Sequence, residues 1–139
     1  MMTRTHFENL RVYQLSEALA DQIWAIVEKW RPFARDTVGK QIVRAADSIG
    51  ANIAEGTGKG MLLDHRRFVR VSRGSLYETK HWLRRAYVRK LLADSETQSL
   101  KSTLEELTRV LNGYVRSLNA RTAKANGRKL ENQGLKTKV

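Results

Sequence analysis

The sequence predicts an all-α protein with the fold of an antiparallel up-down four-helix bundle. Apolar residues recur at intervals of three and four in four separate stretches, and the alternation typical of strands is absent. Short polar joints separate these stretches, as expected for antiparallel neighbours in a bundle. With 139 residues, the chain is long enough for one hydrophobic core without disulfides or metal ions.

The first two predicted helices flank Pro32, the single proline of the chain. One runs from about Leu10 to Trp30 and ends there, because a proline disfavours helical backbone in the residue before it. The other opens near Asp36-Thr37, whose side chains suit a helix N-cap, and stops at Gly58. The two apolar faces comprise Val12, Leu19, Ile23, Ile26 and Trp30, then Val38, Ile42, Ala45, Ile49 and Ile53.

The third and fourth predicted helices are longer. The third starts with Asp64 as its N-cap, and its core-facing stripe runs from Phe68 to Ala86. The fourth begins after Asp94-Ser95-Glu96 and reaches Asn126, where Gly127 is expected to end it. Its leucines recur in steps of four and three, the seam spacing of packed bundle helices. We therefore predict a four-helix domain over residues 1–120 and a basic C-terminal tail over residues 121–139, flexible from residue 128 onward.

Charge is the strongest signal in the composition. Lysine and arginine number 26 against 14 acidic residues, which gives a formal charge of +12 and favours a polyanionic partner. The absence of cysteine excludes disulfides, thiol nucleophiles and thiolate metal sites. Because no apolar run approaches the length of a membrane span and no signal segment follows Met1, we expect a cytoplasmic protein that contacts no membrane.

The stretch SIGANIAEG, from Ser48 to Gly56, places two glycines inside the second predicted helix. A phosphate-binding loop would need a preceding strand and the start of a helix, whereas here the helical phase runs through the stretch. We therefore interpret it as a site where a neighbouring helix or subunit approaches closely. The residues assigned to helix packing and assembly are Ser48, Gly50, Asn52, Ala54, Glu55 and Gly56.

Several segments together resemble one protein family. QIVRAADSI followed by SIGANIAEG, then GSLYETKHWL, and the opening FENLRVYQLSEALA are similar to the four-helix-bundle proteins encoded in intervening sequences of 23S ribosomal RNA genes. The resemblance covers about Phe7 to Leu118. Related bundles include the accessory variability determinant proteins of diversity-generating retroelements. That resemblance implies a ring-like homo-oligomer, with a pentamer as the best choice, and partners that include nucleic acid and a reverse transcriptase.

The third predicted helix carries a row of cations. Between Asp64 and Lys90 there are nine lysines and arginines against two acidic residues. Cations on one helix face repel each other, and a nucleic-acid backbone would supply compensating charge. Tyr77, in the middle of the row, has a ring on which an unpaired base could stack. The residues assigned to binding RNA or DNA are Arg66, Arg67, Arg70, Arg73, Tyr77, Lys80, Arg84 and Arg85.

Catalytic and metal sites find little support in the sequence. Glu78 and His81 have the spacing used in di-iron bundles, but the second such pair that a di-iron site requires is missing. Ser72 and Ser75 lie on the apolar stripe, where small hydroxyls at helix contacts are a better explanation than a nucleophile. We therefore expect no enzyme activity, no metal and no cofactor.

Two functions remain open at this point, beside a weakly supported third. The first is a non-enzymatic basic bundle that binds RNA or DNA and serves as an accessory factor to a reverse transcriptase or an RNA-processing complex. The second is a structural scaffold whose basic face docks an acidic protein. A nuclease, the third, would need clustered carboxylates that the sequence does not offer.

Overall fold

The computed structural model describes residues 6–137, with only the backbone described for residues 135–137. A short 3₁₀ turn, Phe7–Asn9, precedes the first helix, and all regular structure in the described part is helical. None of the described helices is long and apolar enough to cross a lipid bilayer. The four main helices are α1 Arg11–Val27, α2 Lys40–Thr57, α3 Leu62–Val88 and α4 Asp94–Thr137.

The four helices form an up-and-down bundle in which each packs against two neighbours. Helix α2 lies between α1 and α3, and α4 closes the bundle by contacting both α3 and α1. The α1–α4 pairing is antiparallel, because Arg11 forms an ion pair with Glu106 whereas Gln22, farther along α1, contacts Ser99. The most deeply buried core side chains include Leu19, Ile23, Ile42, Ile49, Ile53, Val69, Leu76, Leu107, Leu111 and Leu118.

The junction between α1 and α2 differs from the prediction at both ends. Helix α1 ends at Val27, and the Trp30 amide closes the next turn by donating to the Val27 carbonyl. The following helical segment begins at Pro32, upstream of the predicted caps. Proline suits the first helical position, because its ring already holds a helical φ and the missing N–H would have no partner there.

Three consecutive helical pieces then lead into α2. An α-helical turn Pro32–Ala34 is followed by a π-helical segment Arg35–Gly39 and by α2 itself. Thr37 does not cap this helix; its hydroxyl donates instead to the Phe33 carbonyl. The π-helical segment brings the backbone close to α1, since a Cβ added at Gly39 would lie 2.6 Å from Val27 Cγ1.

The start of α3 and the end of α4 also depart from the prediction. Met61 occupies the N-cap of α3 with an extended backbone, and Asp64 lies in the first turn, where the helix dipole favours a carboxylate. Helix α4 passes through Gly127 and continues to Thr137, so residues 128–137 are helical. Among the described residues no glycine has a positive φ, so Gly127 does not adopt the left-handed backbone of a helix C-cap.

The SIGANIAEG stretch lies inside α2 and faces both neighbouring helices. A Cβ added at Gly50 would lie 3.4 Å from Tyr13 Cε2 of α1, and one added at Gly56 would lie 3.0 Å from Phe68 Cβ of α3. Ala54 is half-buried, whereas the exposed Glu55 forms a surface ion pair with Lys59 at 3.7 Å. Glycines in this stretch therefore allow close approach on two sides of α2.

Hydroxyl and amide groups connect α2 to α3. The Asn52 amide donates to the Ser48 carbonyl at 2.8 Å and to the Ser48 hydroxyl at 3.0 Å. That hydroxyl lies 3.0 Å from the Ser75 hydroxyl of α3, and the buried Ser72 hydroxyl donates to the Ile49 carbonyl at 2.8 Å. Gly74, which precedes Ser75 on α3, has open space where its Cβ would be.

Candidate nucleic-acid interface

The row of cations on α3 lies on the side of the helix that borders α4. Six of the eight predicted residues recur every three or four positions, so they share one helix face away from the core. Arg67 and Arg85 each follow one of these six by one position and widen that face. Arg66, Arg73, Lys80 and Arg85 are half-buried, whereas Arg67, Arg70, Tyr77 and Arg84 are exposed. None of the eight predicted interface residues is buried in the core.

Acidic groups compensate little of this charge. Within residues 6–137, the one ion pair that involves the row joins Arg67 to Asp64 at 3.9 Å, and both side chains are largely solvent-exposed. An exposed ion pair of this kind contributes at most about 1 kcal/mol. Arg70 donates to the Asn119 side chain of α4 at 2.9 Å, which orients the guanidinium without neutralising it. The other cations of the row remain available for an external anion.

Helix α4 adds two cations that the sequence analysis did not assign. Lys101 and Arg109 line a groove between α3 and α4, opposite Lys80 and Arg84, and Glu105 is the one acidic residue among the lining side chains. Each of these two cations follows a residue of the α4 seam by one or two positions. A position next to the leucine seam is the sequence feature that could have identified Lys101 and Arg109. Only the packing of α4 on α3 shows that these two side chains face α3.

The eight predicted residues do not all border one concavity. Lys80 and Arg84 line the groove at the C-terminal end of α3. Arg66, Arg67 and Arg70 line a second depression at the N-terminal end, together with the exposed Leu63 and Val71. Arg85 lies one residue after Arg84 and so is turned about 100° away from the groove. The interface is therefore a basic face with a concavity at each end of α3.

Tyr77 and Lys80 contact each other on this face. The Lys80 ammonium lies 5.7 Å from the centre of the Tyr77 ring, within range of a cation–π interaction. Partial burial of Lys80 lowers the pKa of its ammonium. The side of the Tyr77 ring toward Lys80 is thus already in use, and its other face is the one open to a partner.

Glu78 and His81 of α3 both contact Trp82. The Trp82 indole N–H donates to the Glu78 carboxylate at 3.4 Å, and the His81 ring packs edge-on against the Trp82 ring. No group of three histidine, aspartate or glutamate side chains is placed to hold a metal ion in this part of the chain.

Comparison with known proteins identifies the family. The sequence profile of the 23S rRNA-intervening sequence proteins matches residues 8–113, about three quarters of the chain. The chain belongs to the 23S rRNA-intervening sequence protein family. The match includes the basic row of α3 and the α3–α4 groove, and it ends before the C-terminal part of α4.

A solved structure shares the family fold. The crystal structure of a protein with unknown function from the S23 ribosomal protein family of Bacteroides thetaiotaomicron VPI-5482 superposes with a TM-score of 0.66. The two sequences are 22% identical, and the alignment covers 75% of this chain and 97% of the other. The comparison with curated proteins produced no match. These findings establish the bundle fold and a family linked to 23S rRNA genes.

Proposed function

We propose that this member of the 23S rRNA-intervening sequence protein family is a non-enzymatic, basic bundle that binds RNA or DNA. The observation that carries the proposal is the basic face formed by the α3 row together with Lys101 and Arg109 of α4. A single ion pair compensates that row within the described residues. Phosphates along a nucleic-acid strand would supply the missing anions over the full length of α3.

The proposal extends to assembly and to partners. A closed ring of five copies would repeat the basic face around its circumference, and the exposed aromatic side chains of Trp24 and Phe33 are suited to contacts between copies. Within such an assembly the bundle would act as an accessory factor to a reverse transcriptase or an RNA-processing complex. The family name, which refers to an intervening sequence of 23S rRNA, supports an RNA-related role.

A five-site variant tests the proposal. Changing Arg66, Arg70, Arg73, Lys80 and Arg84 to Gln removes five cations from the basic face and leaves the core intact. A matched control changes five exposed cations on the other side of the bundle to Gln, namely Lys29, Arg31, Arg35, Lys40 and Arg44. Filter binding across a salt series is measured for both variants and the natural chain, after each is shown to have unchanged helicity and mass.

The salt dependence decides the outcome. Each lost phosphate contact should reduce the slope of log affinity against log salt by about 0.7 to 0.9, so the α3 variant should lose most of its affinity and slope. The control variant should retain both to a much greater extent. Equal losses in the two variants would show that net charge alone governs binding. Unchanged affinity in the α3 variant would contradict the proposal and favour the scaffold whose basic face docks an acidic protein.

A further inference from the structure

The groove between α3 and α4 combines an apolar floor with a basic rim. It lies beside the loop that joins the two helices and has a volume of about 530 Å³, within the range of small-molecule pockets. Four leucines form its floor: Leu83 and Leu100 are buried in the core, and Leu92 and Leu104 are half-buried. An apolar concavity of this size in a basic face is complementary to a ligand that has both apolar and anionic parts.

The rim supplies cations from both helices. Lys80 and Arg84 project from α3, and Lys101 and Arg109 project from α4. Tyr87 also lines the groove, and 53% of its surface is exposed, so its ring offers an open face. The groove is therefore lined by one exposed aromatic ring and by two cations from each helix.

The two threonine hydroxyls inside the groove are already bonded to the backbone. The Thr97 hydroxyl donates to the Ala93 carbonyl at 3.0 Å, and the Thr108 hydroxyl donates to the Leu104 carbonyl at 2.6 Å. The hydroxyl protons of both threonines are therefore unavailable to the hydrogen-bonding edge of a nucleobase. The apolar floor therefore offers a ligand mainly apolar contact and stacking, which discriminate little between bases.

We infer that this groove accepts an unpaired base of a single-stranded nucleic acid, with the flanking phosphates held by the four rim cations. The inference rests on the proposed function and narrows it to single strands. A base in a duplex is stacked on both faces and paired at its edge, so it cannot enter the groove unless it leaves the helix. In a single strand every base has a free face, and stacking on an aromatic side chain is tolerant of sequence.

The groove assigns the main stacking role to Tyr87. Tyr77 is equally exposed, at 52%, but it does not line the groove, and Lys80 contacts its ring. Tyr77 therefore serves as a matched control for Tyr87, because the same substitution at each position removes a similarly exposed ring from the same helix.

Abasic oligonucleotides separate base contacts from phosphate contacts. Fluorescence anisotropy is measured with the full chain and labelled 12-nucleotide oligouridylate, oligothymidylate and an abasic strand of the same length and charge. We expect the abasic strand to bind more weakly by a factor between about five and about 150, the range that one to three kilocalories of stacking would give. The salt slopes should be the same for all three strands, because the number of phosphates is the same.

Variants at Tyr87 test whether the difference in affinity between abasic and base-containing strands arises in the groove. Tyr87→Ala should remove most of the difference between the abasic strand and the natural strands, Tyr87→Phe should retain it, and Tyr77→Ala should reduce it less than Tyr87→Ala. Equal affinity of the natural chain for abasic and base-containing strands would overturn the inference and leave phosphate binding intact. A loss at Tyr77→Ala as large as that at Tyr87→Ala would also overturn it. Failure of all three strands to bind would remove the proposed function itself.

Discussion

The Tyr114 hydroxyl lies 2.9 Å from His65 Nε2, and this hydrogen bond joins α4 to the first turn of α3. Burial and the nearby Arg121 charge lower the pKa of His65. Burial raises the pKa of Tyr114, which the Arg121 charge partly offsets. At neutral pH the histidine is therefore uncharged and the tyrosine protonated, so the phenol can donate to the ring nitrogen.

This pair makes stability depend on pH. The pKa of His65 in the folded protein lies below its ordinary value near 6.5, so the unfolded chain binds more protons between the two values. The stability that the neutral ring provides is thus complete above about pH 6.5 and is lost as the pH falls toward the folded-state pKa. Urea unfolding between pH 5 and 8 should show a decline on acidification that His65→Gln reduces.

A second titrating group, Asp47, is present in both proteins and must be separated from His65 in this measurement. Burial and the Asp21 carboxylate raise the pKa of Asp47, which adds its own dependence on pH at more acidic values. Both proteins retain Asp47, so the difference between their unfolding curves isolates His65. Parallel curves for the natural chain and His65→Gln across pH 5 to 7 would contradict the prediction.

Glycines of α2 and α3 should respond in opposite directions to alanine. A Cβ at position 56 would lie 3.0 Å from Phe68 Cβ and 3.2 Å from the backbone oxygen of His65, so Gly56→Ala should lower the free energy of unfolding by about 1–3 kcal/mol. Gly74 has open space around its Cβ position, and Gly74→Ala should raise the free energy of unfolding by about 0.5–1 kcal/mol. Urea denaturation measures both; a loss at Gly74 or a gain at Gly56 would refute the packing explanation.

The C-terminal part of α4 should be dispensable for folding. Thr122 is 4% exposed and is the last buried residue of the described chain, whereas the side chains of residues 123–134 are all exposed. Truncation after Ala123 should therefore change the free energy of unfolding by no more than about 0.5 kcal/mol. Thermal unfolding followed by circular dichroism would measure this, and a large loss would show that the extension packs against something.

The same truncation should weaken nucleic-acid binding less than the five-site α3 variant does. It removes five lysines and arginines, the same number as that variant. Lys124 and Arg128 are four residues apart and share a helix face, but this pair covers about one turn, whereas the α3 row extends over about five turns from Arg66 to Arg84. Filter binding of the two variants at one salt concentration compares them directly, and a greater loss on truncation would move the main binding surface to the extension.

Exposed aromatic residues should determine the oligomeric state. Trp24 is 58% and Phe33 84% exposed in the single chain, both on the α1–α2 side of the bundle. Native mass spectrometry should show five subunits for the natural chain, and Trp24→Ser with Phe33→Ser should reduce that mass. Leu130→Ser, which alters a similarly exposed apolar side chain on α4, should leave the mass unchanged. A monomer of the natural chain at micromolar concentration would refute the proposed ring.

Local signals predicted the number and faces of the helices better than their ends. The seam of α4 was predicted from spacing alone; four of its leucines, Leu100, Leu107, Leu111 and Leu118, are at most 3% exposed, whereas Leu104 is half-buried. The first helix does end before Pro32, although Pro32 itself begins the next helical segment, whereas Gly127, interpreted as the end of α4, lies inside that helix. Proline is compatible with the first turn of a helix, and a glycine in a helix costs only about 1 kcal/mol, so neither residue type defines a boundary by itself.

The sequence alone determined that the chain has four amphipathic helices and that α3 carries a row of cations, because both properties follow from the residue spacing within one helix. Tertiary structure decided that Lys101 and Arg109 stand opposite Lys80 and Arg84, and that Tyr87, more than Tyr77, borders an apolar groove. These relationships join residues about 20 to 30 positions apart. Whether these residues face each other depends on how α3 and α4 are rotated about their axes when they pack. The periodicity within a single helix does not contain that information.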